Sequence, residues 1–397
     1  MKKIEKTLII LIILFSFFCI NVNAQEFDIS KMTLEEKIAQ MLFVQYRSDD
    51  YNEEFYETIK KYNPGGFIIY KENINSVSEI TEVINRLQED AKTPIFIGVD
   101  QEGGIVQRFS YMEDATMVPI PYACDIGKKN NKIYTTQVAH VMASELRQVG
   151  INIDFAPVLD LYNKDNTSFA NYTRSFTSDP KKLSEYSNIF IKVFKNNNIV
   201  ASPKHFPGVG DASIDSHLTL SYIKKTKKEL ENNELVPFKD AIKEDMQMMM
   251  LSHSIVPDIT GNYPFTVSKD GVDYIRKDLG YNGLIITDAI NMNSLTLLLS
   301  SDNIFKYAIN AGIDIILSPP KLDYTIETIK ELVENNEIDE KTIDKAVTKI
   351  LKLKSNADFS IYEPKNPLEK LNSNYHKMLV YHYPWKEYTH FYEFTNK

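Results

Sequence analysis

The stretch Leu284-Ile285-Ile286-Thr287-Asp288 puts four strand-forming residues in front of a carboxylate. It lacks the polar alternation of a half-exposed strand and reads as a parallel strand covered on both faces. The same reading recurs at Gln40–Val44, Gly66–Tyr70, Ile95–Val99, Ile153–Ala156, Ile199–Pro203, Met248–Ser252 and Ile313–Leu317, making eight runs with Leu284–Thr287. The intervals between them are long enough for crossover helices. Amphipathic stretches fill them, among them Ser76–Asp90, Lys132–Val149, Asp179–Asn196, Lys225–Glu244 and Thr325–Asn335. Thr226 with Glu229 spells a capping box, and Asp179-Pro180 an N-cap with proline at the first helical position. Repeated β-then-α units predict an α/β fold of the (β/α)8 barrel type in a single domain. No Gly-x-Gly-x-x-Gly turn follows the first run, which argues against a dinucleotide fold.

Composition agrees with one large globular unit. The 397 residues are 43% apolar, 25% charged and 11% aromatic, with only 14 Gly and 16 Pro. Disordered, collagenous and linker architectures are excluded by those values. A formal charge of −9, with no Lys/Arg cluster in the body of the chain, speaks against a nucleic-acid partner. At the N-terminus Lys2, Lys3 and Lys6 precede the largely apolar run Leu8–Ile20, and Val22-Asn23-Ala24 follows. This is the order of a secretory signal over residues 1–24, cleaved after Ala24. The expectation is an exported protein, periplasmic or secreted, without stable membrane insertion once the signal is removed. An uncleaved anchor is the alternative, although the run is short for a membrane span of about 20 residues. Phe18 before Cys19 argues against lipidation. Cys124 is then a lone cysteine, which excludes an internal disulfide and reads as core.

The polar residues gather after the strands. A barrel of this type builds its site at the carboxyl ends of its strands. There the sequence places Asp100, Glu102 and Arg108 after the third run and Asp160 after the fourth. Lys204 and His205 follow the fifth, His253 the sixth and Asp288 the seventh. A single Asp after a strand is often only a helix cap, whereas several charges converging on one rim are not required for stability. The densest segment is Lys204-His205-Phe206-Pro207-Gly208-Val209-Gly210-Asp211, followed by Asp215-Ser216-His217. Gly208 and Gly210 allow a sharp turn. Asp215 and His217 are two residues apart, so in an extended loop they face one side. A carboxylate beside an imidazole orients it and raises its pKa, making it a proton donor and then a base. A surface turn with an Asp–His hydrogen bond fits the same spacing. No His-Glu-x-x-His or cysteine pattern supports a metal, and no cofactor is implied.

These residues also carry a family resemblance. Lys204 through Gly210, then Asp215-Ser216-His217, resembles the signature of glycoside hydrolase family 3, and more narrowly its β-N-acetylhexosaminidase branch. Val99-Asp100-Gln101-Glu102-Gly103-Gly104 with Gln107-Arg108-Phe109 resembles the early substrate-binding stretch. Phe155-Ala156-Pro157-Val158-Leu159-Asp160 with Arg174-Ser175-Phe176 resembles the next one, and Gly283 to Asp288 the strand that presents the nucleophile. The resemblance runs over roughly residues 28 to 355.

The resemblance implies Asp288 as nucleophile and His217, held by Asp215, as general acid and base. It implies Asp100, Arg108, Arg174, Lys204 and His205 as sugar-binding groups, with Asp160 organising that ring of charges. The implied activity is retaining hydrolysis of terminal β-linked N-acetylglucosamine from peptidoglycan fragments or chitooligosaccharides through a covalent glycosyl-enzyme, without metal or cofactor. Val209 stands where the family commonly has His, and Ala212 where Thr is common. Competing readings are a β-glucosidase or xylosidase, a phosphorylase of the same fold, and a non-catalytic sugar-binding barrel. The catalytic domain is expected over residues 25–355, without the second domain of longer family members. Residues 356–397 form an extension rich in aromatics between Tyr375 and Phe394 and holding Trp385, the only tryptophan; packing against the barrel or a loose tail is expected before sugar stacking. Oligomeric state has no signal in the sequence.

Overall fold

A computed structural model describes residues 27–45, 51–109, 114–162, 169–209, 221–359 and 370–381. The expected signal, Ala212, Asp215, His217 and the chain beyond Tyr381 lie outside them. Ten strands are present among the described residues: β1 Leu42–Val44, β2 Gly66–Ile69, β3 Phe96–Val99, β4 Ile153–Asp154 and β5 Val200–Ala201, then β6 Ser221–Tyr222, β7 Met248–Leu251, β8 Ser254–Ile255, β9 Leu284–Thr287 and β10 Ile316–Leu317. Parallel pairing runs β10-β1-β2-β3-β4-β5, and β7 pairs with β9. Single parallel bridges close the remaining seams, Phe206 to Leu251 between β5 and β7 and Ile286 to Ile315 between β9 and β10. The result is a closed eight-stranded barrel with helices between successive strands, as the repeated pattern predicts. All eight expected runs contain a barrel strand. The pair β6–β8, in register Ser221 to Ser254, is additional to it.

Local chemistry explains the helices. Ser76 caps Val77–Asp90 by accepting from the Glu79 amide, and the helix buries Val77, Ile80, Val83, Ile84 and Leu87 along one stripe. The Thr226–Glu229 capping box forms with both of its hydrogen bonds. Asp179 accepts from the Lys181 and Lys182 amides ahead of Pro180–Asn196. One expectation needs correcting: the stretch Lys225–Glu244 is two helices, Lys227–Asn232 and Leu235–Lys243. Pro237 has no amide to donate to the Asn233 carbonyl, so it is tolerated only in the first turn of a new helix. The helix Asn374–Tyr381 of the C-terminal extension packs against Lys132–Gln148. No helix among the described residues is long and apolar enough to cross a membrane.

Candidate active site

Barrel strands deliver their following residues to one rim, and most of the expected site residues meet there. Asp100, next after β3, accepts from Lys204 Nζ at 2.6 Å and from Arg108 Nη2 at 3.2 Å. Lys204 also reaches Glu102 at 2.6 Å. Glu102 in turn takes a bidentate pair from Arg174, at 2.7 and 2.8 Å. Arg174 ends the helix Phe169–Arg174, so a residue of the β4–β5 connection is locked to the β3 loop. Lys204 and Glu102 are buried, where charges interact far more strongly than in water. Burial pushes the Glu102 carboxyl up, but the Arg174 and Lys204 cations outweigh it and hold it well below the usual carboxylate range. The same contest, won by Lys204 and Arg108, lowers Asp100. Burial opposes the charge on Lys204 and Arg174, yet their carboxylate partners raise both.

A second pair sits beside this network. His205 Nδ1 lies 2.7 Å from Asp160 Oδ2, and Asp160 Oδ1 accepts from the His205 and Val209 amides at 3.3 and 2.9 Å. Asp160 therefore ties the start of the Lys204–Gly210 loop to the chain after β4. Burial works against its charge, and His205 more than compensates, lowering the carboxyl. The loop turns at Gly208, whose amide donates to the His205 carbonyl at 2.7 Å. Its φ of 112° is open to glycine, and a Cβ there would come within 3.0 Å of Glu234 Cβ. Val209 thus meets Asp160 through its backbone amide, an interaction that any residue but proline retains at this position.

Asp288 follows β9. Its amide donates to the Leu251 carbonyl at 2.8 Å, and its Oδ1 accepts from the Ala289 amide at 2.7 Å. The next carbonyl, that of Ala289, lies 3.0 Å from His253 Nε2, and His253 Nδ1 lies 2.9 Å from Thr266 Oγ1. Only a donor can satisfy a carbonyl, so Nε2 carries a proton and donates to the Ala289 carbonyl. His253, read in the sequence as a rim charge, is instead a buried prop for the turn that carries Asp288.

Two participants, Tyr70 and Asp154, escape the sequence reading, and a third, Glu102, is only partly read. Tyr70, next after β2, has its hydroxyl 3.0 Å from Ser318 Oγ and its ring 5.8 Å from the Arg108 guanidinium. Burial and the nearby Asp100 and Asp288 carboxylates push its phenol up. Glu102 was visible as a charge after β3 but not as the centre of the network. Asp154, on β4 itself, is buried with Oδ1 taken by the Gln101 amide at 3.0 Å and Oδ2 unpartnered. Burial pushes its carboxyl well above the usual range. Among the described residues no group of three His, Cys, Asp or Glu is arranged to hold a metal. The rim is thus an array of fixed donors and acceptors suited to a ligand rich in hydroxyls, with one further carboxylate, Asp288, beside it.

Known proteins share this arrangement of chain. The chain is 28% identical over 329 residues to the β-hexosaminidase A of Pseudoalteromonas piscicida, covering 76% of itself and 55% of that protein. It therefore spans little more than half the length of that relative. It is 28% identical over 294 residues to a β-hexosaminidase of Haemophilus influenzae, covering 73% of itself and 82% of the relative. The structure of a glycoside hydrolase family 3 β-N-acetylglucosaminidase from Paenibacillus sp. str. FPU-7 superposes with a TM-score of 0.80 at 27% identity, over 88% of this chain and 68% of that one. Residues 33–353 match the glycosyl hydrolase family 3 N-terminal domain, and the chain belongs to that family.

Proposed function

We propose that the protein is a retaining exo-β-N-acetylglucosaminidase acting on terminal β-linked N-acetylglucosamine of peptidoglycan fragments or chitooligosaccharides. The observation that carries this reading is the Asp100–Lys204–Glu102–Arg174 network at the rim, centred on the buried Lys204 and Glu102, with Asp288 after β9 on the same rim. Relatives named as β-hexosaminidases support the sugar class. Asp100, Arg108, Arg174, Lys204 and His205 would bind the sugar hydroxyls. With Oδ1 engaged by the Ala289 amide, Asp288 Oδ2 would attack the anomeric carbon. The glycosidic carbon–oxygen bond then breaks as His217, oriented by Asp215, protonates the leaving oxygen. His217, now neutral, takes a proton from water, which displaces Asp288 and releases the sugar with retained configuration.

The test is one assay of wild type, Asp288→Ala and His217→Ala, with and without phosphate. Its substrates are a panel of nitrophenyl glycosides and an N-acetylglucosaminyl disaccharide of peptidoglycan. Wild type is expected to prefer N-acetylglucosaminides and release free sugar. Asp288→Ala should be folded and inactive. His217→Ala should lose about 10²–10⁴-fold on the disaccharide and much less on nitrophenyl substrates, whose leaving group needs little acid. Preference for glucosides or xylosides, a sugar phosphate as product, or near wild-type kcat in folded Asp288→Ala would each refute the reading.

A further inference from the structure

The C-terminal helix Asn374–Tyr381 lies outside the region of family similarity, which ends at residue 353, yet it is wired into the barrel. Its anchor is Glu145, buried on the helix Lys132–Gln148. Glu145 Oε1 accepts from the Asn372 amide at 2.8 Å and lies 2.8 Å from His376 Nδ1. The other oxygen, Oε2, accepts from the Val118 amide at 2.7 Å. One carboxylate therefore joins the C-terminal extension to the segment 114–122. Two further bonds repeat the connection: Asn372 Nδ2 donates to Thr116 Oγ1 at 2.8 Å, and the Tyr381 hydroxyl donates to the Pro119 carbonyl.

The segment so held is the brace of the β3 loop. Ile120 donates its amide to Gln107 Oε1 at 2.7 Å, and its carbonyl accepts from the Gly104 amide at 2.9 Å and from Gln107 Nε2 at 3.1 Å. Gln107 Nε2 also reaches the Gly104 carbonyl at 2.9 Å. Met117 donates to the Phe109 carbonyl at 3.2 Å. Contact is close on the same side: a Cβ on Gly103 would lie 2.6 Å from the Pro121 carbonyl oxygen, and one on Gly104 would lie 2.2 Å from the Tyr122 ring. Between Gly104 and Phe109 the loop carries Arg108, and just before it Asp100 and Glu102. Hydrogen bonds thus link His376 to Glu145, Glu145 to Val118 and Ile120 to Gln107, and the backbone from 118 to 120 and from 107 to 108 completes the path to the rim.

We infer that the C-terminal extension is a clamp for the substrate-binding β3 loop, with His376 and Glu145 as positioning residues. The inference rests on the sugar-binding reading of Asp100 and Arg108, so its test includes a readout independent of turnover. In the full-length protein, His376→Ala should raise KM for an N-acetylglucosaminide about tenfold, the loss of roughly one hydrogen bond, with little change in kcat. His376→Asn, whose amide supplies a donor near the Nδ1 position, should restore most of the affinity. Met378→Ala, on the exposed side of the same helix, should leave both constants unchanged. Hydrogen exchange by mass spectrometry should quicken in peptides covering residues 100–109 and 116–120 of His376→Ala and stay unchanged in 284–287. If His376→Ala fails to fold, Asn372→Ala and Tyr381→Phe remove smaller parts of the same connection and should give the same exchange pattern. A lowered melting temperature with unchanged KM and unchanged exchange at 100–109 would overturn the clamp, as would a uniform rise in exchange across the barrel. Should the N-acetylglucosaminide prove not to be the substrate, the exchange pattern still decides.

Discussion

Glu102 holds two cations on one buried carboxylate, Arg174 in a bidentate pair and Lys204 at 2.6 Å. Glu102→Gln keeps the shape and removes the charge that both cations face. Removing one member of a buried pair costs about 3–5 kcal/mol, because the partner charges stay buried. Unfolding in urea at neutral pH should show that loss directly. Its pH dependence has a definite sign. The folded carboxyl lies below its unfolded value of about 4.3, so its stabilisation is complete above that pH and is lost as pH falls toward the folded value. The wild-type advantage should therefore shrink on acidification below about pH 4, and a difference that grew there would contradict the assignment. At this scale most charges after strands are legible in the sequence: Asp100, Arg108, Lys204 and His205 meet at the rim and Arg174 joins them, whereas His253 is buried beneath the Asp288 turn. Tyr70 and Asp154 were not readable, because the first ends an apolar run as an ordinary strand aromatic and the second lies inside one. Their roles come from burial beside charges that only the closed barrel brings near.

Phe206 shows how a loop residue becomes part of an element. It follows β5, yet its amide donates to the Met250 carbonyl and its carbonyl accepts from the Ser252 amide, both at 2.9 Å, closing the seam to β7. Its buried ring meets Phe238 and Phe265 edge-on, each at 5.2 Å. Phe206→Ala should cost about 3–5 kcal/mol by transfer and cavity terms together, while Phe206→Leu should cost distinctly less. Urea midpoints of the two variants check the order, and equal small losses would show that the seam does not depend on this ring. The neighbouring residues explain why strand limits were less legible than strand existence. The fifth run was read as Ile199–Pro203, but Pro203 and Pro207 offer no amide to a ladder, so regular pairing stops at Ala201 and resumes only as bridges at Lys204 and Phe206. Strands β6 and β8 lie outside the eight runs, since each pairs a serine with one larger residue and extends no apolar run.

Across the whole molecule, the last helix of the barrel is fastened back to the end of the helix before its first strand through a lysine. Lys354, at the end of Glu340–Lys354, is buried, donates to Gln40 Oε1 at 2.8 Å and lies 5.3 Å from the Phe96 ring centroid. Gln40 in turn donates to the Asn63 carbonyl, so the Lys354 and Gln40 side chains together join the chain before β1, the chain before β2 and the first residue of β3. These contacts lie at the amino ends of the strands, away from the rim, where a role in stability is expected. Burial drives the ammonium pKa well below its ordinary value. An unfolded lysine titrates near 10.4, so between the folded pKa and that value the unfolded chain binds more protons and stability rises with pH. Lys354→Met removes this titration together with the hydrogen bond to Gln40. The orphaned Gln40 oxygen costs about 1–3 kcal/mol, which offsets the gain from deleting a buried charge, so the absolute difference at one pH decides little. The trend decides it: wild type should gain on Lys354→Met as pH rises toward about 10. Urea unfolding of both proteins at several values from pH 6 upward measures that trend. A difference independent of pH would mean that the amine is charged in the folded barrel, with Gln40 and the Phe96 ring supplying enough of its lost solvation.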